Sequence, residues 1–168
     1  FGNATDNVWG CDDAVLCKHA EEYLQKASKD EKVFHLILTM SNHAPYIIDV
    51  DKLGFPREDV RAKLPRDISK DKNTLTELGH IWYADKTMGE FVSFAQNLLP
   101  DSLFVITGDH MERFTFAIEQ DARVLMSVPC IFYGQGVERS WFDEKSVGTH
   151  IQLAGTLAEI LGPENFTY

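Results

Sequence analysis

The sequence predicts an α/β fold in which a mostly parallel sheet is sandwiched between helices (α/β/α). Two features carry this prediction: short apolar runs typical of buried strands, and longer segments whose apolar residues recur at helical spacing. The two kinds of segment alternate along the chain, as they do around a parallel sheet. The 168 residues correspond to about one domain, and no repeat or linker divides them.

The N-terminal half contains one helix, one strand and a long surface segment. Helical spacing predicts a helix from Asp12 or Asp13, either of which can cap it, to about Ser28. The apolar run 33–39 (VFHLILT) predicts a first strand that is covered on both faces. Residues 41–73 contain prolines but no sustained period, which predicts a surface excursion of the kind often found at functional sites.

The C-terminal half alternates helices with two further strands. A capping-box pattern at Thr74 predicts the start of a long helix with an apolar stripe. Residues 103–107 (LFVIT) predict a second buried strand, and residues 128–133 predict a third. Pro129 places that third strand towards an edge, because proline cannot donate a ladder hydrogen bond. Thr149 is suited to cap a last helix.

The composition excludes several classes of protein. Hydrophobic residues make up 44% and charged residues 25%, as in ordinary globular domains. Acidic residues outnumber basic ones 26 to 16, and a negative surface repels phosphate backbones and anionic lipid, so nucleic acid and peripheral membrane binding are disfavoured. No apolar run approaches the roughly 20 residues that a membrane span needs. Three cysteines without C-x-x-C spacing argue against a zinc knuckle or a disulfide framework.

The exits of the predicted strands collect residues that can carry chemistry. Ligands of open parallel sheets bind at the carboxyl ends of the strands, where loops and helix N-termini converge. The first predicted strand leads into His43, the second leads into Asp109 and His110, and His150 begins a helix that can face the same edge. One aspartate and several histidines suit a divalent metal with oxygen and nitrogen ligands.

Each candidate also has a purely structural interpretation. Asp109 and His110 can be a helix-capping aspartate beside a surface histidine, and His43 can be a solvated loop residue rather than a group that meets an anionic oxygen. His150 lies on an apolar stripe, which favours a packed histidine over a ligand. Asp85 falls on the predicted apolar stripe of the long helix, where it either braces the site from behind or lies at the rim.

Six motifs in order resemble one family. They are Trp9-Gly10 with Asp12-Asp13, residues 38–46 (LTMSNHAPY), Tyr83-Ala84-Asp85 with Gly89-Glu90-Phe91, residues 104–110 (FVITGDH), residues 128–134 (VPCIFYG), and His150-Ile151-Gln152-Leu153 with Thr156-Leu157. Together they resemble the C-terminal part of the sulfatase-like catalytic domain of lipoteichoic acid synthase-type proteins, in the alkaline phosphatase superfamily. The resemblance spans nearly all of residues 1–168. It implies an α/β/α sandwich and metal-dependent transfer or hydrolysis of a phosphate or sulfate ester.

The resemblance also implies roles for individual residues. In that family the Asp-His pair after the strand binds the metal, which implies Asp109 and His110 as ligands, and the Asn-His loop implies His43 as a catalytic, substrate-contacting residue. His150 matches a family position and is an additional candidate. The implied cofactor is a divalent metal ion, with Mn²⁺ favoured over Zn²⁺, Mg²⁺ and Ca²⁺. The implied partners are the remainder of the same polypeptide and an anionic ester substrate, lipid- or glycan-linked, and the implied location is extracytoplasmic, in a membrane-anchored parent protein.

The nucleophile of that family has no counterpart here. Its Thr or Ser and a further acidic ligand lie N-terminal to the resembling stretch, and Thr5 lacks the matching context. We therefore expect an incomplete part of a larger catalytic domain, inactive or weakly active by itself. Met111 stands where many relatives have a small residue, and Gln152 where many have aspartate. Two alternatives stay open: a noncatalytic α/β binding or regulatory module, and a family member that has lost catalysis and serves as an interaction domain.

Overall fold

A computed structural model describes residues 10–27, 31–66, 68–111, 126–143 and 145–163, together with residue 123. The elements within these ranges are helices α1 (Asp13–Lys26), α2 (Arg57–Lys63) and α3 (Lys72–Leu98), strands β1 (Leu103–Thr107) and β2 (Cys130–Gly134), a 3-10 helix (Arg139–Trp141) and helix α4 (His150–Leu161). The predicted mixed α/β class is confirmed. The chain forms two compact units, residues 1–135 and residues 136–168. None of the helices in these ranges has the length and apolar character to cross a membrane.

Aspartate caps set the starts of the two long helices. Asp12 caps α1, as predicted, because its Oδ1 accepts the N–H of Ala14 at 2.8 Å. Helix α3 begins two residues before the expected Thr74, because Asp71 accepts the N–H of Asn73 and the O–H of Thr74, both at 2.9 Å. These bonds lower the pKa of the Asp71 carboxyl below its usual value. The Thr74 hydroxyl is used as a donor to the cap rather than as the cap itself.

The apolar core of the first unit forms between α3 and the loop before α2. Its buried cluster is Val50, Phe55 and Tyr83, with the partly buried Ile48, Val60, Leu78 and Trp82 packed around it. Gly79 makes this packing possible, because a Cβ at that position would lie 2.6 Å from Cγ2 of Val50 and 3.2 Å from Cδ1 of Phe55. The absence of a side chain therefore lets the helix backbone approach the loop closely.

The two strands pair antiparallel, with Leu103 opposite Gly134 and Thr107 opposite Cys130. The described sheet thus has two antiparallel strands, whereas a mostly parallel sheet was expected. Apolar composition does not encode strand direction, which depends on how the intervening chain returns. Gly134 ends β2 with a φ of +152°, and a Cβ there would lie 2.5 Å from the carbonyl oxygen of Ser102, so glycine is required at this pairing.

The predicted first strand, residues 33–39, is not a strand in the structure. Phe34, Leu36 and Leu38 are 73%, 87% and 68% exposed, and the segment makes no ladder hydrogen bond within the described ranges. The strand prediction is therefore wrong for this structure. An apolar run shows that a segment can be buried, but a strand also needs a neighbour for its N–H and C=O groups.

The second unit contains the predicted C-terminal helix. Helix α4 begins at His150, immediately after Thr149, and its C-cap is Gly162. The Gln152 side chain accepts the N–H of Thr149 at 2.8 Å, which closes the first turn. The glutamine at position 152 therefore takes part in the N-terminal cap of α4.

Candidate functional site

The loop that carries His43 begins at a buried contact with α1. Oδ1 of Asp13 accepts the N–H of Met40 at 2.7 Å and the N–H of Ser41 at 3.0 Å. The N–H of Asp13 in turn donates to Oγ of Ser41 at 2.9 Å. Asp13 is 1% exposed and Ser41 is 5% exposed, so water does not compete for these bonds. The start of α1 therefore fixes the entrance of the loop.

The end of the same loop is held by α3. His80 is 1% exposed, and its Nε2 accepts the N–H of Ile48 at 3.1 Å. Its Nδ1 lies 2.9 Å from the carbonyl oxygen of Thr76, so Nδ1 carries the proton and donates it there. These contacts give His80 a structural role. The loop that carries His43 is thus held at both ends by buried side chains.

The imidazole of His43 is oriented by its own loop. Nδ1 lies 2.5 Å from the carbonyl oxygen of Ala44, which requires the proton to be on Nδ1. Nε2 is then the nitrogen that accepts a proton in the neutral ring and releases it from the charged ring. The N–H of His43 donates to the carbonyl oxygen of Met40 at 3.0 Å, which closes a turn. The side chain is half-buried.

The exit of β1 places a carboxylate beside an imidazole. Oδ2 of Asp109 lies 3.6 Å from Nε2 of His110, and both side chains are exposed. Oδ1 of Asp109 accepts the N–H of His110 at 2.9 Å. Nδ1 of His110 lies 3.0 Å from the carbonyl oxygen of Met111, so Nδ1 is the donor there and Nε2 is the ring nitrogen that lies beside Asp109. The pair therefore presents one oxygen and one nitrogen ligand towards the same region.

A cavity of about 630 Å³ connects the two loops. Its lining includes Asn42 from the His43 loop and His110 from the exit of β1, together with Gly108, Met111, Ser127, Val128 and Pro129. A Cβ at Gly108 would lie 3.2 Å from Cγ1 of Val128, so glycine allows the strand exit to follow the cavity wall. The lining contains neither His43 nor Asp109, so the convergence of these side chains in one crevice stays a prediction.

Of the other sequence candidates, His150 and Asp85 are on helices. His150 is the first residue of α4 and belongs to the second unit. Asp85 is exposed on α3, so its expected place on the buried stripe is wrong, and its bracing role stays a prediction. The buried positions of α3 are instead Thr74, Leu75, Gly79, His80, Tyr83, Thr87 and Ala95. The apolar residues alone do not mark the buried face of α3, because polar Thr and His side chains occupy much of that face. Thr5 lies outside the described residues.

The ligand set is incomplete within the described ranges. They contain no group of three or more His, Cys, Asp or Glu side chains arranged to hold a metal ion. Asp109 and His110 therefore amount to two ligands, and a catalytic zinc site, for comparison, has three protein ligands. The three cysteines Cys11, Cys17 and Cys130 are free thiols.

Sequence reasoning did not identify Asp13 and His80 as residues that hold the loop. Asp13 was considered only as a helix cap, and its burial depends on the position of the loop some 28 residues later. The signal in the sequence was the adjacent pair Asp12-Asp13, in which one aspartate suffices for capping. Asp12 also has a second contact, because the O–H of Tyr83 donates to its Oδ1 at 2.5 Å. Burial and this bond raise the pKa of the Tyr83 phenol.

Cys17 is expected to resist alkylation in the folded protein. Burial, reinforced by the neighbouring carboxylates of Asp13 and Glu21, raises the pKa of its thiol from 9.0 to about 11. A shift of two units lowers the thiolate fraction at pH 8 by about 100-fold. We expect iodoacetamide to modify Cys17 at least about 100-fold more slowly in the native chain than in guanidinium chloride, as measured by peptide mass spectrometry.

The exposed Cys130 provides the internal comparison, and it should react well before Cys17. Equal rates at the two thiols in the native chain would contradict the prediction. The same shift has a consequence for stability, because the folded state favours the protonated thiol. This contribution is complete below pH 9 and is lost as the pH rises from 9 towards 11.

These features define a mixed α/β protein with a candidate metal site at the carboxyl end of a strand. The family model described as Sulfatase matches residues 2–163, and the chain belongs to the sulfatase family, within the alkaline phosphatase superfamily. No curated protein and no solved structure matches the chain. The family consists of enzymes for metal-dependent hydrolysis or transfer of sulfate or phosphate esters.

Proposed function

We propose that this chain supplies two metal ligands and a substrate-contacting histidine to a lipoteichoic acid synthase-type enzyme of the sulfatase family. The observation that carries the proposal is the pair formed by Asp109 Oδ2 and His110 Nε2, 3.6 Å apart. Two ligand atoms at about 2.1 Å from one tetrahedral ion lie about 3.4 Å from each other. The pair is thus close to the separation that shared coordination needs, and a small side-chain rotation completes it.

The hydrogen bond of the other ring nitrogen of His110 supports the same role. Ligating histidines usually donate their other ring N–H to a carbonyl or carboxylate, which fixes the tautomer and the ring. Nδ1 of His110 has such a contact with the carbonyl oxygen of Met111. A helix-capping aspartate beside a surface histidine would not require this arrangement.

A metal bound by Asp109 and His110 would supply charge stabilisation to the oxygens of a sulfate or phosphate ester. His43 contributes in a different way. Its Nδ1 is committed to Ala44, so Nε2 exchanges protons with, or donates a hydrogen bond to, an anionic oxygen or a leaving group. Asn42, which lines the cavity with His110, adds an amide that can donate to the same anion.

The rest of the reaction belongs to other parts of the protein. The proposal assigns the nucleophile and the remaining ligands to another segment of the same polypeptide, so that residues 1–168 are the C-terminal portion of the catalytic domain. It assigns Mn²⁺ as the preferred ion, with Zn²⁺, Mg²⁺ or Ca²⁺ as the competitors. It also assigns a lipid- or glycan-linked anionic ester as substrate and an extracytoplasmic location in a membrane-anchored protein, all from the motif resemblance. The chain alone is expected to show weak or no turnover.

A Mn²⁺ titration of this chain tests the metal assignment. We expect Mn²⁺ to bind to the wild-type chain and to raise its melting temperature. Asp109→Ala and His110→Ala should each weaken that binding by about 10-fold to 100-fold. The measurements are calorimetric titration and thermal unfolding, with metal content determined by mass spectrometry.

The matched control is a second acidic-histidine pair on the surface. Glu22 lies 3.8 Å from His19 on α1 and has no place in the proposed site. His19→Ala should therefore leave Mn²⁺ binding unchanged. Equal binding by the wild type, Asp109→Ala and His110→Ala, or no response to Mn²⁺ in the folded wild type, would reject the metal assignment and favour the noncatalytic α/β module.

A further inference from the structure

We infer that Asp13 is a positioning residue for His43. Its side chain touches neither the cavity nor the proposed metal ligands, and its carboxylate is directed at the loop backbone instead. The inference deepens the proposed function, because it rests on the catalytic role given to His43 there. It adds a residue on another element, α1, that determines where the His43 imidazole is placed.

A continuous path of backbone contacts links the two residues. Oδ1 of Asp13 accepts the N–H of Met40, and the carbonyl oxygen of the same Met40 accepts the N–H of His43. Oδ1 of Asp13 also accepts the N–H of Ser41, two residues before His43. One oxygen, Oδ1 of Asp13, therefore fixes the peptide groups of Met40 and Ser41 at the start of the loop. A shift of that oxygen moves the backbone of His43 directly.

The reciprocal contact makes the position of the loop unique. While the Asp13 carboxylate accepts from the loop, the Asp13 N–H donates to Oγ of Ser41 at 2.9 Å. The three bonds join residues 27 or 28 positions apart; the two with Ser41 are buried and the one with Met40 is partly buried. They leave the loop no freedom to slide along α1, because a slide breaks all three together.

The choice of a carboxylate at this position is informative. Burial of a charged group is costly, and Oδ2 of Asp13 is buried without a hydrogen-bond partner within the described residues. A carboxylate only accepts, so it cannot turn a donor towards the Met40 and Ser41 amides, and charged acceptors form shorter bonds than neutral ones. Asparagine can flip and present its NH₂ group to the same amides. The acidic side chain therefore enforces one loop orientation at the expense of stability.

The test compares Asp13→Ala and Asp13→Asn with a matched control. Asp71→Ala removes a carboxylate that also accepts two hydrogen bonds at a helix start, but at α3, with no contact to the loop. The readout is the ring Cε1–H resonance of His43 in ¹³C-histidine-labelled protein, assigned with His43→Gln. Its chemical shift and its titration with pH report the ring environment.

We expect Asp13→Ala to move or broaden the His43 resonance and to change its titration midpoint, while Asp71→Ala leaves both unchanged. Amide hydrogen exchange at His43 should be at least about 10-fold faster in Asp13→Ala than in Asp71→Ala. Asp13→Asn should restore part of the wild-type signal. An unchanged His43 resonance in folded Asp13→Ala would overturn the inference. If Asp13→Ala does not fold, Asp13→Asn decides: a wild-type His43 resonance there overturns the need for a carboxylate, and a shifted one supports it.

This readout separates the inference from the proposed function, because it needs neither a metal nor turnover. In a polypeptide that includes the whole catalytic domain, Asp13→Asn should lower kcat by about 10-fold and leave Mn²⁺ affinity and KM within about 2-fold. A shifted resonance with unchanged kcat would reject the role of His43 in the reaction and leave the positioning contact standing. An unshifted resonance in folded Asp13→Ala rejects the positioning contact whatever the activity is.

Discussion

Replacing His43 by alanine is expected to lower the turnover of the complete enzyme by about 10²- to 10⁴-fold, the usual contribution of a positioned general acid or base. The structure gives the reason. The Ala44 carbonyl holds the proton on Nδ1, and hydrogen bonds to the buried Asp13 and His80 hold both ends of the loop, so Nε2 is oriented before substrate arrives. The assay uses p-nitrophenyl phosphate and p-nitrophenyl sulfate with Mn²⁺, on a polypeptide that includes the whole catalytic domain.

Two controls distinguish lost chemistry from lost structure. His19→Ala removes an exposed imidazole from α1 and should leave turnover unchanged. Added imidazole should restore part of the activity of the His43→Ala variant, since a small base can occupy the vacated space. Turnover of folded His43→Ala within about 3-fold of the wild type would show that this histidine takes no part in the reaction.

Replacing Gly79 by alanine is expected to lower the free energy of unfolding by about 1–2 kcal/mol. The added methyl group would lie 2.6 Å from Cγ2 of Val50 and 3.2 Å from a ring carbon of Phe55, so α3 or the loop before α2 has to shift. Overpacking of this kind costs about 1–3 kcal/mol, and the higher helix propensity of alanine offsets up to about 1 kcal/mol of it. Urea denaturation of both proteins provides the measurement.

Gly89 is the matched control in the same helix. It is exposed, and a Cβ there would meet nothing within 4 Å. Gly89→Ala should therefore stabilise the chain by about 0.5–1 kcal/mol, because only the propensity gain remains. The two substitutions are thus expected to have opposite signs. A stabilising Gly79→Ala would mean that the core tolerates a closer approach of helix and loop than the structure indicates.

The local elements were predictable to different extents. Helices α1 and α4 and strand β1 begin and end within about two residues of expectation, since caps, apolar spacing and glycine or proline stops act over a few residues. Helix α3 was found as well, but its start was misplaced because the hydroxyl of Thr74 donates to Asp71 instead of capping the helix. The strand predicted at residues 33–39 is absent for a different reason: the residues of a segment do not specify which other segment will pair with it.

The candidate site shows the same division. Asp109 and His110 were predicted as metal ligands from their place after a strand and from motif resemblance. The structure adds the separation of the two side chains, and the Met111 carbonyl fixes the tautomer of His110. The burial of Asp13 and of His80 could not be inferred, because each depends on a loop that is distant in sequence. Asp85 is exposed, which agrees with the rim alternative and not with a buried place on the apolar stripe, because the buried face of α3 contains polar side chains instead.

Short-range features of the sequence were enough to predict the mixed α/β class, the positions of most helices and the family motifs, and the composition gives the net negative charge. Only the folded chain shows the antiparallel pairing of β1 with β2, the close approach at Gly79 and the contacts of Asp13 with the His43 loop. Capping, helical spacing and turn chemistry act within a few residues, whereas strand direction and burial depend on segments that meet only after the chain has folded.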